Sequence, residues 1–191
     1  MTDVAAAAET VREGGLVVYP TETVYGLAAD ALDADAVERV FAVKGRSHEK
    51  PISLAVPTVE AALAHTEPTE REQRFMDEFL PGPVTVLVEA GEEVPDVLTA
   101  GRSRVGVRVP DQPVARELLE QSGPATSTSA NVSGQPSARR VDEIGESVRT
   151  ACGAVLDDGE CPGTESSVVD VASGTIHRRG ARVTDIEAWL D

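Results

Sequence analysis

Apolar and polar positions along the chain switch repeatedly between a helical period and short extended runs. Val4 to Arg12 reads as a helix stopped by Gly14-Gly15, and Leu16 to Tyr19 as a short buried strand. Pro20 to Leu27 is turn-rich and hydroxyl-rich and reads as a loop. Asp33 and Asp35 are candidate caps for a helix through Val43, whose Val37, Val40 and Phe41 share one face. Ile52 to Val56 reads as a strand, and Thr58 to Ala64 and Thr69 to Leu80 as helices. Pro81-Gly82-Pro83 breaks the second of these and launches a strand over Val84 to Glu89. Val105, Val107 and Val109 alternate with Gly106 and Arg108, which sets Arg108 on the face opposite the valines.

Pro113 to Gln121 reads as a helix, Ala125 to Ser129 as a strand end, and Val141 to Thr150 as a helix. Ala154 to Leu156 and Val168 to Val171 read as extended, and Thr184 to Leu190 as a closing helix. Irregular alternation with hairpins late in the chain predicts an α/β domain with a mixed sheet, not a strict doubly wound one. Without repeats or a low-complexity linker, residues 1–191 read as one domain, with Gln135-Pro136-Ser137 as its mobile loop.

Composition narrows the class. At 191 residues and 41% apolar the chain can bury a full core, and no run of eighteen apolar residues predicts a membrane span. The Ala-rich, acidic start lacks the basic and apolar parts of a signal peptide, so the expected compartment is the cytoplasm. Cys152 and Cys161 have neither CxxC spacing nor a neighbouring histidine, which predicts free thiols and no zinc. A net charge of -16, arginine over lysine and few aromatics suggest adaptation to high salt.

Charge also marks a place. Both lysines of the chain fall in Lys44-Gly45-Arg46-Ser47-His48-Glu49-Lys50. A protein this acidic repels anions unless cations are locally concentrated. The cluster is either a solvated basic turn after a helix or a phosphate site built from Lys44, Arg46 and Lys50. Neither a P-loop nor a GxGxxG signature is present, so phosphate chemistry here needs another arrangement. Ser127-Thr128-Ser129-Ala130-Asn131 exposes small donors at a strand end, or merely caps its own backbone. Pro20 to Gly26 offers two hydroxyls, a carboxylate and a phenol at another strand end, or is a proline turn with a core tyrosine. His65 reads as a surface helix residue and His177 as a strand residue.

In this order, Pro20-Thr21-Glu22-Thr23-Val24-Tyr25-Gly26-Leu27, Lys44-Gly45-Arg46, Pro81-Gly82-Pro83-Val84-Thr85, Val107-Arg108-Val109-Pro110, Ser127 to Asn131, Glu165-Ser166-Ser167 and Arg178-Arg179-Gly180 resemble the YrdC-like threonylcarbamoyl-AMP synthase family. The resemblance implies a twisted mixed sheet flanked by helices, with a concave ligand-holding face. It also implies condensation of L-threonine, bicarbonate and ATP to threonylcarbamoyl-AMP and pyrophosphate, assisted by Mg2+. Other proteins then pass the threonylcarbamoyl group to tRNA.

Carried over by position, the resemblance assigns Thr23, Arg108, Ser127 and Ser166 to threonine. It assigns Lys44, Arg46, Lys50, Ser129, Asn131 and Arg178 to the nucleotide, with Lys44 and Arg46 catalytic, and nominates no metal ligand. The chain departs from the pattern at Ser47, where many relatives have proline, and at Ala55, where longer relatives carry a histidine. Its end at Asp191 matches the short form. The chemistry implied needs positioning and charge neutralisation, not a covalent nucleophile. Two other readings stay open: a paralogue with another substrate, and an RNA-binding or translation-associated module, against which the charge of -16 argues.

Overall fold

A computed structural model describes residues 3–191. Its helices begin where the sequence supplies caps. Asp3 accepts from Ala6 N at the start of α1 (Val4–Arg12), and Asp33 accepts from Asp35 N at the start of α2 (Ala34–Lys44). Gly45 ends α2 in the left-handed region, at φ 56°, which a side-chain-bearing residue adopts only at a cost. Thr58 caps α3 (Val59–Leu63), and Thr69 forms a reciprocal capping box with Glu72 in α4 (Glu70–Phe79).

The strands form two mixed sheets where the sequence predicts one. The smaller has the order β2 (Gly26–Ala28), β1 (Val17–Tyr19), β7 (Ala154–Val155). The larger runs β6 (Ala125–Ser127), β3 (Ser53–Ala55), β5 (Arg104–Arg108), β4 (Val84–Glu89), β8 (Ser167–Asp170), β9 (Thr175–Arg178). In it β3 is parallel to β5 and β4 to β8, while the β6–β3, β5–β4 and β8–β9 pairs are antiparallel.

One face of the larger sheet is core. Val84, Val86, Val88, Val105, Val107 and Val169 are buried in one cluster with Phe75, Met76 and Phe79 of α4 and Val37, Val40 and Phe41 of α2. Each large side chain so buried contributes roughly 1.5–3 kcal/mol against exposure. A second cluster joins Val4, Ala7 and Val11 of α1 to Leu118 and Leu119 of α6 (Pro113–Ser122), and takes in Tyr19 and Ala55. The other face of the sheet carries small or polar residues at alternate positions: Ser53, Thr85, Gly106 and Arg108. That face is left for a ligand.

Two local expectations are corrected and one element is new. The stretch expected to be a single helix from Val141 to Thr150 is a 3-10 turn, Val141–Glu143, followed by α7 (Glu146–Ala151). Between them Ile144 is extended and buried in the core, and that inward turn breaks the helix. The expected loop Pro20–Leu27 ends in β2, because Gly26 lies across from Tyr19, where a Cβ would come within 2.7 Å of the ring. A short helix, α5 (Asp96–Thr99), was not foreseen; the closing helix, α8 (Val183–Leu190), lies where the sequence puts it.

Candidate functional site

The loop after β1 is fixed by its own hydroxyls. Thr21 Oγ1 accepts from the backbone N of Thr23 (3.1 Å) and Val24 (3.2 Å) and lies 2.8 Å from Thr23 Oγ1. This turn presents Glu22 and Thr23 to Arg108. Arg108 Nη2 donates to Glu22 Oε1 (2.7 Å) and Thr23 Oγ1 (3.3 Å), and Nη1 donates to Gly82 O (3.1 Å). Pro81-Gly82-Pro83 therefore supplies a carbonyl to the arginine, and Gly82 N in turn bonds Val109 O. Arg108 is 4% exposed; burial pushes its pKa down and the Glu22 carboxylate opposes that. Beside it Tyr19 is pushed up to about 12 by burial, so its phenol stays neutral.

A second cationic group faces this one. Arg46 is held by donation to Lys50 O (Nε, 3.0 Å) and Pro51 O (Nη2, 2.9 Å). Its pKa is lowered by burial and then by the charge of Arg178, so the two guanidinium groups repel across the cavity they line. Arg178 is anchored on Ser166, through Nε to its carbonyl and Nη2 to its hydroxyl, both 2.7 Å. Ser166 Oγ lies 3.3 Å from Thr85 Oγ1. Glu165 comes only within 4.0 Å of Arg178 Nη1, so the pair keeps donors for an anion.

These groups share one cavity of about 600 Å³ on the open face of the larger sheet. Thr23, Arg46, Arg108, Ser127, Ser129, Ser166 and Arg178 all line it. Five arginines (Arg46, Arg102, Arg104, Arg108 and Arg178) line it with two carboxylates, Glu165 and Asp170, while Glu22 pairs with Arg108 and Glu72 with Arg104. In a chain of net charge -16 this is a reversal of local sign.

Lys44, Lys50 and Asn131 do not line the cavity. Lys44 is 1% exposed, and its ammonium donates to the carbonyls of Ser129 and Asn131. Burial, and then the charge of Arg46, push its pKa down to about 8. Lys50 is exposed, and it is its carbonyl that serves Arg46. Asn131 Nδ2 donates to Val132 O (2.9 Å) and Gln135 O (2.8 Å), while its Oδ1 is buried without a partner. The basic turn thus delivers one guanidinium to the cavity and spends one ammonium on holding the Ser129–Asn131 turn.

Sequence reasoning missed Arg102, Arg104, Leu87 and Asp170. The signal for Arg104 was present, since it shares the strand parity of Arg108 through Gly106. His177 lies on β9, as read, and lines the cavity. His65 follows the end of α3 and pairs with Glu93. Both cysteines are free. Burial pushes Cys152 up to about 11 and raises Cys161, so neither is a ready nucleophile.

Comparison with known proteins identifies the family. The Sua5/YciO/YrdC family model, described as telomere recombination, matches residues 9–180. A threonylcarbamoyl-AMP synthase of Pyrococcus abyssi is 41% identical over 169 residues, covering 86% of this chain and 49% of that protein. One of Pseudomonas savastanoi is 35% identical over 93% of this chain and 97% of the relative. The crystal structure of Pyrococcus abyssi Sua5 complexed with L-threonine superposes with a TM-score of 0.92 at 36% identity, covering 97% of this chain and 56% of that one. That of Escherichia coli YciO gives 0.84 at 27%, covering 93% and 89%. The chain spans about half the length of the Pyrococcus relative. With its matched span, its mixed α/β fold and its arginine-lined cavity, the chain belongs to the Sua5/YciO/YrdC family.

Proposed function

We propose that the chain is an L-threonylcarbamoyladenylate synthase, a nucleotidyltransferase that joins L-threonine, bicarbonate and ATP. The observation that carries the reading is one cavity with two separate cationic sites, Arg108 among hydroxyls and Arg46 facing Arg178. Two anions are to be brought together here, an amino-acid carboxylate and a polyphosphate. Arg108 takes the carboxylate, with Thr23, Ser127 and Ser166 as hydroxyl partners. Arg46 and Arg178 neutralise the phosphates, with Ser129 beside them.

The threonine amine adds to bicarbonate with loss of water, giving a carbamate. A carbamate oxygen then attacks the α-phosphorus, and the bond to the β-phosphate oxygen breaks to release pyrophosphate. The arginines stabilise charge that builds on the departing group, and the buried walls keep water from the product. Lys44 acts at one remove, by fixing the Ser129–Asn131 turn. Lys50 serves the nucleotide only through its carbonyl, which holds Arg46, and Asn131 only through the Val132 and Gln135 carbonyls to which it donates.

Mg2+ fits as a companion of the triphosphate. Among the described residues no three metal-ligating side chains gather, and this ion prefers phosphates and water to a protein cage. No helix among the described residues is long and apolar enough to cross a membrane. We place the protein in the cytoplasm, as one domain, feeding a transferase that modifies tRNA.

The test is pyrophosphate release with ATP, bicarbonate and each amino acid in turn, at low and molar KCl. Release that requires both L-threonine and bicarbonate supports the synthase. Release with a different amino acid makes the chain a paralogue, and no release with any of them rejects the reading.

A further inference from the structure

Behind one wall of the cavity, a buried carboxylate of α4 does two things at once: it caps its own helix and pairs with an arginine that lines the cavity. Glu72, in α4, is 1% exposed. One oxygen closes the helix cap, accepting from Thr69 N (2.8 Å) and Thr69 Oγ1 (2.9 Å). The other accepts from Arg104 Nη2 at 2.5 Å. The same Nη2 donates to Leu87 O (2.6 Å) and Asp170 Oδ1 (3.3 Å). A helix cap needs no arginine, and an Nη2 whose two N–H groups are shared among Glu72, Leu87 O and, at the longer 3.3 Å, Asp170 orients the arginine as well as neutralising it.

That orientation leaves the rest of the fork unused. Among the described residues Arg104 Nη1 makes no hydrogen bond, and Arg104 Nε is buried without a partner. The side chain is 28% exposed and lines the cavity, as does Asp170. Asp170 Oδ1 is committed to Arg104 and to the backbone N of Ala172 and Ser173, and Oδ2 is not. Arg104 Nη1 and Asp170 Oδ2 are thus a donor and an acceptor left open on two residues that line the same cavity, the pairing needed for a sugar hydroxyl or a base edge, whereas the buried Nε is shut off from it. A bare phosphate would not use the acceptor.

Arg104, Gly106 and Arg108 lie on the same face of β5, so the two arginines are separated by roughly 14 Å of strand, about 3.4 Å for each residue. A threonine held by its carboxylate on Arg108 spans on the order of 5 Å and cannot reach Arg104. An extended nucleotide can. We propose that Glu72 is a positioning residue for the nucleoside end of the substrate, acting through the Arg104–Asp170 pair. This rests on the nucleotide reading above. It means that the arginine is ordered during folding, so its rotamers are not lost at binding.

Glu72→Gln tests it, because glutamine also serves at this position of a capping box. Its Oε1 can face Thr69 N, which leaves an amide NH2 against Arg104 in place of an acceptor. Binding of ATP and of L-threonine to the full chain is measured separately by calorimetry, with a melting curve for each variant. The expected result is ATP binding weakened at least tenfold and threonine binding within twofold of wild type. Arg104→Lys keeps a charge for Glu72 but loses the fork, and it gives the same split if Glu72→Gln does not fold. Unchanged ATP affinity in a folded variant, or equal losses for both ligands, overturns the proposal. A wild-type chain that binds no ATP overturns it together with the nucleotide reading. A wild-type chain that binds ATP but releases no pyrophosphate removes the synthase reading alone.

Discussion

A Cβ built on Gly106 would lie 2.5 Å from Ser53 Oγ, so the middle of β5 touches the neighbouring strand β3 with no room for a side chain. Thr85 Cγ2, from the other side, would be 2.8 Å away. Gly106 therefore keeps the floor of the cavity low between Arg104 and Arg108. Gly106→Val puts a branched side chain there, and we expect at least a tenfold loss in kcat/KM. Strand propensity favours valine, but overpacking opposes it by about 1–3 kcal/mol. Kinetics and denaturant melts on the same variant check this; an active Gly106→Val enzyme removes the floor from the argument.

Glu22 pairs with Arg108 at 2.7 Å, and its second oxygen is buried without a partner. Breaking a buried pair from one side costs roughly 3–5 kcal/mol, because the other charge stays behind. Glu22→Gln should therefore lower stability by a few kcal/mol, and saturating L-threonine should restore part of it by bringing a new carboxylate. The check is the threonine-induced rise in melting temperature, which should be larger in the variant than in wild type. An equal or smaller rise means that the substrate carboxylate lies elsewhere.

Lys44 titrates near 8 in the folded chain and near 10.5 when unfolded. Between those values the unfolded chain binds the extra proton, so raising the pH favours the fold by on the order of 1 kcal/mol per pH unit. Tyr19 and Tyr25, both pushed up to about 12 by burial, act in the opposite direction above their ordinary value of 10.0. Stability attributable to Lys44 should thus rise between pH 8 and 10, and Lys44→Met should abolish that rise. Urea unfolding of both proteins across this range decides it.

Arg46 reaches the cavity and Lys50 does not. Arg46→Ala should cut the rate at least tenfold, about 1.4 kcal/mol of transition-state stabilisation. Lys50→Ala should change it less than threefold, since the carbonyl that holds Arg46 remains. Equal losses in steady-state assays would show that the Lys50 ammonium also acts on the substrate.

With 33 acidic residues against 17 basic ones, the chain repels itself at low ionic strength. Its melting temperature should climb from low to molar KCl. A flat or falling curve rejects adaptation to salt.

Arg108 was legible because strand parity is a local rule: valines on one face force the arginine to the other. Lys44 was not, because a lysine ending a helix looks the same whether it faces water, a phosphate or, as here, two carbonyls 85 and 87 positions away. The same limit hid Glu72, whose contact with Arg104, 32 positions away, exists only once α4 packs on the larger sheet. The second sheet was hidden for a related reason. Its β2 strand pairs with β1 over Val17–Tyr19, and Gly26 fits there because it has no Cβ to meet the Tyr19 ring. The cavity itself was foreshadowed as a set of polar segments, but its floor was not, since a glycine announces no contact.

The parallel pairing of β4 with β8 also has a bearing on how the chain is made. Thr23 arises early, Arg108 in the middle, and Ser166 and Arg178 only with the last fifth of the polypeptide. Until that portion has left the ribosome, β4 is an unprotected edge and the pocket lacks one wall. A nascent chain can therefore begin to bury its valine core before Ser166 and Arg178 arrive, and the cavity is the later of the two to be completed.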